Sequence, residues 1–351
     1  MDPPSPIRWR LADDDGGRPD LLGDLVARVP GRGELVGLEL LHVNAKRVVN
    51  RVPPVSRMPF RWTINAYRGC SHACAYCFAR PTHEYLGMDS GRDFERRIVV
   101  KVNAPERVRA EIASPRWRGE HIAMGTNTDP YQTCEGRYRL TRGIVEVLAE
   151  GANPFSILTK STLVLRDIDV LRHAAARTEV MVNLSIPTVD REVWRLTEPG
   201  TPNPLRRVDA VARLNDAGIP CGVLVAPVLP GISDGEDQLR ATVRACVEAG
   251  AASITTILLH LRPGVREHYL GWLAEHRPEL VDDHLARYRR AYAPRQEQER
   301  HAARVRRLVT EFRGRSTTPR RSRFHADPTA FVRPGPAAAG ARPGTQLSLG
   351  I

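Results

Sequence analysis

Lysine is almost missing from this chain: Lys46, Lys101 and Lys160 are the only three, against 49 arginines among 351 residues. So extreme a bias points to the coding preference of a genome and says nothing about a ligand. Long apolar runs are also absent, so nothing resembles a membrane span and no membrane partner is expected. The start, Met1-Asp2-Pro3-Pro4, has neither a charged stretch nor an apolar run. No secretory signal is therefore expected, and the cytoplasm, where thiols stay reduced, is the expected compartment. Cysteine is sparse as well: three of the six, Cys134, Cys221 and Cys246, stand alone at wide spacing.

What the chain does have is a core-forming composition and a lopsided charge. With 42% hydrophobic residues it can bury one large domain or two small ones. The net charge is +12, but its distribution matters more than its size. Arg287 to Ile351 holds 15 arginines and four acidic residues, Glu297, Glu299, Glu311 and Asp327, a balance of +11. The preceding residues are close to neutral.

The other three cysteines, Cys70, Cys74 and Cys77, form a CxxxCxxC pattern with Tyr76 before the last thiol and Phe78 after it. Three thiolates on one short loop suit an iron-sulfur cluster that keeps one iron free of protein ligands. Two other readings fit the same residues. One is a zinc site completed by His72 or His83, although zinc loops usually come as two separated CxxC pairs. The other is a disulfide.

From Arg61 onward strand and helix patterns alternate. Apolar runs at Thr63 to Tyr67, His121 to Gly125, Phe155 to Thr159, Val180 to Ile186, Gly222 to Pro227 and Ser253 to Leu259 read as six buried parallel strands. Amphipathic stretches at Leu140 to Glu150, Leu165 to Arg177, Leu205 to Ala217 and Gly235 to Ala249 read as the crossover helices, several closed by glycine. The first crossover is longer, with an extra apolar run at Arg97 to Val102 and a helix from Pro105 to Ala113. Residues 1–60 read as an N-terminal extension with a flexible stretch at 13–17, a small hairpin around Pro30-Gly31-Arg32-Gly33, and an extended Arg47 to Phe60. The repeated βα units at 61–262 imply an α/β sheet or barrel. Helices near Pro263 to Glu275, Pro278 to Tyr292 and Arg295 to Phe312 form a C-terminal helical cap at 263–313. Residues 314–351 make a basic Pro/Gly/Ala-rich tail, expected to be disordered to Gly344, with Gln346 to Leu349 as a docking motif.

At the CxxxCxxC loop the chain resembles the radical S-adenosylmethionine (SAM) superfamily. The run Thr128-Asp129-Pro130-Tyr131-Gln132 resembles more narrowly its photolyase-like branch, related to spore photoproduct lyase. The resemblance covers about residues 44–292. It implies a partial (β/α)6 TIM-like barrel, a 4Fe-4S cluster held by Cys70, Cys74 and Cys77, and SAM bound at the free iron. It also implies that Tyr76, Gly125, Thr126, Asn127, Asp129, Lys160, Ser185 and Arg207 contact that cofactor. Gly125 belongs to the turn that meets the SAM amino group, Lys160 and Ser185 match positions that hold its carboxylate, and Val225 to Gly231 faces its adenine. Read from residue types alone, Asp129 equally caps an Asx-Pro turn, and Arg207 is an ordinary solvated helix residue. The chemistry implied is reductive cleavage of SAM by an external one-electron donor of flavodoxin or ferredoxin type. The resulting 5′-deoxyadenosyl radical abstracts a hydrogen from substrate.

The substrate is less legible. Spore photoproduct lyase carries a hydrogen-donating cysteine where this chain has Met124-Gly125, so that repair chemistry does not carry over. Cys134, nine residues later, is the candidate donor, and His83 and Tyr85 are candidate substrate contacts. The basic C-terminal region, Arg300, Arg304, Arg306, Arg307 and the tail arginines, admits a nucleic-acid partner through phosphate contacts, although few aromatics accompany it. A rival of another class is a non-catalytic metal-loop protein that binds nucleic acid through that region.

Overall fold

A computed structural model describes residues 24–53 and 58–313. The expected flexible stretch at 13–17, the tail at 314–351 and part of the extended 47–60 segment lie outside the described residues. Among the described residues eleven strands form two sheets. In chain order they are β1 (Asp24–Pro30), β2 (Glu39–Asn44), β3 (Val49–Arg51), β4 (Trp62–Ile64), β5 (Tyr67–Arg68), β6 (Arg97–Lys101), β7 (Ile122–Met124), β8 (Phe155–Thr159), β9 (Val180–Ser185), β10 (Cys221–Val228) and β11 (Ile254–Leu258). The larger sheet runs β11-β10-β9-β8-β7-β4-β3. Its six strands from β4 to β11 are parallel, so the partial (β/α)6 barrel expected from the sequence is the architecture found.

The helices are α1 (Arg92–Arg96), α2 (Ala104–Ile112), α3 (Glu135–Tyr138), α4 (Leu140–Glu150), α5 (Ile168–Ala175), α6 (Arg191–Thr197), α7 (Pro204–Asp216), α8 (Glu236–Glu248), α9 (Val265–His276), α10 (Val281–Arg287) and α11 (Arg295–Arg313). Local chemistry sets their ends. Asn203 caps α7 by accepting from Leu205 N at 2.9 Å, with Pro204 opening the first turn. Gly218 closes the same helix at φ +77°, where Ile219 N returns to the Leu214 carbonyl at 2.9 Å. The stretch read as one helix from Leu165 begins as a 3-10 turn, Thr162–Asp167, because Ser161 accepts from Leu163 N and winds it tightly.

Two expectations are redrawn. Thr63 to Tyr67 is not one strand: β4 stays in the barrel, while β5 crosses to pair antiparallel with β6. The β1–β2 hairpin, read as part of an extension, pairs through β2 with β6 in parallel, giving a second sheet ordered β1-β2-β6-β5. Likewise β3 joins the barrel sheet antiparallel to β4. The apolar run at Arg97 to Val102 is what makes this possible, since Ile98 and Val100 face the main core and Val99 packs with Leu41, Val43 and Leu86.

The cap also divides. Val265, Tyr269 and Leu273 of α9 pack with Leu229, Ile232, Leu259 and Leu261 at the ends of β10 and β11, and with Cys74 and Tyr76. This layer covers the end of the barrel where the strands finish, the end at which ligands collect in parallel βα folds. By contrast α11 lies against α8 and β11, and its Val305 and Leu308 enter the main core. Among the described residues no helix is long and apolar enough to cross a membrane.

Because Leu308 is fully buried in that core, Leu308→Ala is expected to cost about 2–5 kcal/mol. Urea denaturation followed by circular dichroism checks this: a single cooperative transition should shift to lower denaturant. An unshifted barrel transition preceded by loss of one helix would mean that α11 is not part of the core.

Candidate active site

The CxxxCxxC loop leaves β5 through Gly69, which holds φ +78°, and a Cβ there would lie 2.8 Å from the Phe94 carbonyl oxygen. Three neighbouring segments then fix the loop. Phe94 O accepts from Cys70 N at 2.8 Å. Gln132, fully buried, accepts from Ser71 N at 3.0 Å and donates to Gly69 O at 3.0 Å, while Thr128 donates to Gly69 O at 2.6 Å. On the far side Ala75 N donates to Thr197 O and Gly200 N to His72 O. Gly200 packs so closely that a Cβ would sit 2.2 Å from Ser71 O.

Arg80, three residues past the last thiol, has no exposed surface. Its guanidinium donates to Cys74 O at 2.9 Å, to Ser90 O and Gly91 O, and to Glu95 at 2.5 Å. Such a fork satisfies the carbonyls of an irregular buried loop, a task suited to five fixed donors.

Above this loop lies a cleft with about 860 Å³ of empty space, a figure that includes open solvent. All three thiols line it, with Gly125, Thr126, Asn127, Asp129, Lys160, Ser185 and Tyr76. Leu224, Ala226, Pro227 and Leu259, at the ends of β10 and β11, make an apolar wall. Gly125 adopts φ +90°, and a Cβ would be 2.0 Å from Leu158 O, so the turn after β7 admits only glycine. Asn65 ties that turn down through Thr126 Oγ1 and Asn127 N.

Asp129 is the capping residue of this turn and more. It accepts from Tyr131 N, from Thr159 Oγ1 at 2.6 Å and from Lys160 N at 2.7 Å, and its other contact is His72 Nδ1 at 3.3 Å. Burial opposes its ionisation, but His72, Lys160 N–H and the Thr159 hydroxyl outweigh burial and hold its carboxyl below the ordinary range. Asp129 thus joins the ends of β7 and β8 to the cysteine loop.

The residue that organises the opposite side, Glu198, is one that sequence reasoning passed over. It is buried, and it accepts from Lys160 Nζ at 2.8 Å, Arg207 Nη2 at 2.5 Å and the Tyr76 hydroxyl. Lys160 Nζ also donates to Ser185 Oγ at 2.6 Å and stands 5.5 Å from the centre of the Tyr76 ring. Arg207 is not the solvated helix residue that its position suggests: it has no exposed surface and also donates to Ser185 O, Thr201 and Pro202 O. Nor does it line the cleft; it stands behind Ser185 and Glu198. The only sequence hint of Glu198 was a carboxylate just past an unassigned short helix, α6.

Other expected residues fall elsewhere. Cys134 is fully buried in the main core beside Glu135 and does not line the cleft, so it has no access to a substrate there; burial also pushes its thiol up. This corrects the hydrogen-donor role. His83, buried against Phe94, bonds to Arg97 O at 2.9 Å, and Tyr85 is exposed away from the cleft. His83 is therefore no fourth ligand either.

Three thiols on one short loop are donors of the kind an iron-sulfur cluster takes, but among the described residues no group of three or more His, Cys, Asp or Glu side chains is arranged to hold a metal ion. All six cysteines are free thiols, which removes the disulfide. Burial raises Cys70, Cys74 and Cys77 above the ordinary thiol value, and for Cys70 the charges of Asp129 and the other two thiols add to it. Three adjacent thiolates are thus unfavourable without a cationic centre, and a metal bound there would supply the positive charge that deprotonates them.

Burial opposes ionisation of Glu198 too, yet Arg207 and Lys160 hold it down at about 2. A carboxyl lowered from 4.5 to about 2 contributes roughly 3 kcal/mol of stability, present above pH 4.5 and lost as the pH falls through the folded value. Urea denaturation of wild type and Glu198→Gln at pH 6 and pH 3 measures it. The variant should be less stable at pH 6, and its stability should fall less on acidification; equal slopes would show that Glu198 is not the group held ionised.

Residues 64–243 match the sequence profile of the Radical SAM superfamily. An uncharacterized protein of Mycobacterium tuberculosis is 43% identical over 301 residues, 86% of this chain and 88% of that protein. The Radical SAM Nalpha-GlyT isomerase of Pseudomonas phage M6 is 26% identical over 211 residues, covering 60% of this chain and 41% of the isomerase. A solved structure of spore photoproduct lyase with bound AdoMet and dinucleoside spore photoproduct shares the fold, with a TM-score of 0.59 at 18% identity over 82% of this chain and 85% of that one. The chain belongs to the radical SAM superfamily and is an enzyme that cleaves SAM by radical chemistry.

Proposed function

We propose that this enzyme holds a 4Fe-4S cluster on Cys70, Cys74 and Cys77, binds SAM at its open iron, and abstracts hydrogen from a nucleic-acid substrate in the cytoplasm. One observation carries the cofactor part: the three thiols and the Lys160–Ser185 pair line a single cleft. When bound, cluster and SAM supply a 5′-deoxyadenosyl radical after one electron from a flavodoxin- or ferredoxin-type donor. The rest is done by side chains. Lys160 meets the ligand's carboxylate as a compact cation, and Glu198 and Ser185 keep its ammonium in place. Gly125 to Asn127 present backbone and amide groups to the amino end, with Asp129 fixing that turn. Leu224, Ala226 and Pro227 give the adenine an apolar wall that excludes water.

Support for nucleic acid as the substrate is of a different kind. The fold is shared with a lyase whose structure holds a dinucleoside photoproduct beside AdoMet, and the C-terminal region is strongly basic.

Anaerobic reconstitution tests the cofactor part. Wild type should take up about four irons with absorbance near 400 nm and, once reduced, convert SAM to 5′-deoxyadenosine; Cys77→Ala should do neither. Lys160→Met should keep its iron yet bind SAM about 10- to 100-fold more weakly, the loss of one charge-assisted contact. Uptake of colourless zinc by wild type would overturn the reading.

A further inference from the structure

The cleft opens beside a row of three rings. His260, two residues beyond the end of β11, lines the cleft; its ring centre is 5.3 Å from that of Tyr292, stacked at 20°, and 6.0 Å from that of Phe78. Tyr292 comes from the segment after α10 and is pinned there by a bridge with His260 and by Leu261 N donating to Ala291 O at 2.7 Å. Phe78 and Tyr292 remain 43% and 45% exposed. Tyr85 is the one other exposed large aromatic among the described residues. Two of the three thus meet at this opening, and exposed aromatic surface that packing does not demand marks a binding surface. Burial, then Arg262, lowers the His260 pKa, so near pH 7 the middle ring is uncharged; its Nδ1 is buried without a hydrogen-bond partner.

The same two segments carry cations. Arg262 is exposed and donates to Tyr292 Oη at 2.9 Å. Arg289 and Arg290 are exposed and precede Tyr292 by three and two residues, within about 11 Å along the chain. Among the described residues none of the three has a carboxylate partner, whereas Asp283 and Glu297 both pair with Arg287, and Glu299 with Arg295. A row of rings flanked by unneutralised guanidinium groups is the pairing that single-stranded nucleic acid requires, base on ring and phosphate on cation.

We infer that the cleft opening is a docking platform for a nucleic-acid strand with an unpaired base, which stacks on Phe78 and Tyr292 beside His260 while its neighbouring phosphates lie on Arg262, Arg289 and Arg290. This rests on the nucleic-acid reading above and places recognition at the cleft rather than in the basic tail. An acidic electron-donor protein is the competing occupant of so basic a rim.

Fluorescence anisotropy of the full-length, cluster-loaded protein with a labelled 12-residue oligothymidine, across a salt series, decides between them. Wild type should bind the single strand more tightly than the matching duplex. The double variant Arg289→Glu/Arg290→Glu should lose about tenfold or more in affinity, and its slope of log K against log salt should be shallower by about 1.4, the loss of two phosphate contacts on a single strand. Tyr292→Ala should lose roughly tenfold with the slope unchanged, as stacking is not a counterion effect. Thermal unfolding midpoints matching wild type show that the variants fold. Salt-dependent binding that none of these variants alters would put the nucleic acid elsewhere and overturn the platform while leaving the nucleic-acid reading intact. No binding by wild type would overturn both. Unaltered oligonucleotide binding by the double variant, with electron transfer from reduced flavodoxin slowed, would assign the rim to the donor.

Discussion

A carboxylate buried among two cations and a phenol ties this site together. Glu198, itself buried, receives Lys160, Arg207 and Tyr76, and a charge buried there would be costly alone. The three elements that supply them are distant in sequence: the cysteine loop, the end of β8 and the start of α7. Removing the carboxylate leaves the buried Arg207 and the cleft-lining Lys160 without their shared counter-charge, so the cleft's cation, the loop before the last thiol and the helix behind Ser185 depend on it together. The network also fixes the positions of Lys160, Arg207 and Tyr76 relative to one another, and fixed geometry is what a site that must orient a reactive cofactor requires.

The cysteine loop depends on the same logic in its backbone. It is irregular and largely buried, so its carbonyls and amides need partners from outside it. Gln132 and Thr128 supply them on one side, Thr197 and Gly200 on the other, and Arg80 from below. The Thr-Asp-Pro-Tyr-Gln run therefore acts first as a brace. Two of its polar side chains hold the thiol loop, and a third, Asp129, holds the start of the segment carrying Lys160. Around the cysteine loop and the cleft, Gly69, Gly125 and Gly200 are points where backbones approach too closely for any Cβ.

The six barrel strands and most crossover helices were legible because continuous apolar runs and 3.6-residue stripes are local signals, and glycines at positive φ mark where helices stop. Gly125, Asp129, Lys160 and Ser185 line the cleft and were picked out because ligands collect where parallel strands end, whereas the three thiols stand out by their spacing alone. Three readings failed in instructive ways. Arg207 reads as solvated, since nothing local announces the carboxylate that neutralises it. Cys134 shares a loop with cleft residues, but α3 turns it into the core. The β1–β2 hairpin reads as an appendage because its partner, β6, lies more than fifty residues later.

The sequence by itself determined the donor set, the order of βα units and the chemistry that three thiols on one loop can support, since all of these depend on residues a few positions apart. Only the tertiary structure decided which charges meet. Glu198 stands 122 residues from Tyr76 and 9 from Arg207, and the ring of Tyr292 reaches His260 by a bridge between segments with no shared pattern. Pairing of buried charges and stacking of distant rings are settled by packing, where each group is stable only in the company of the others.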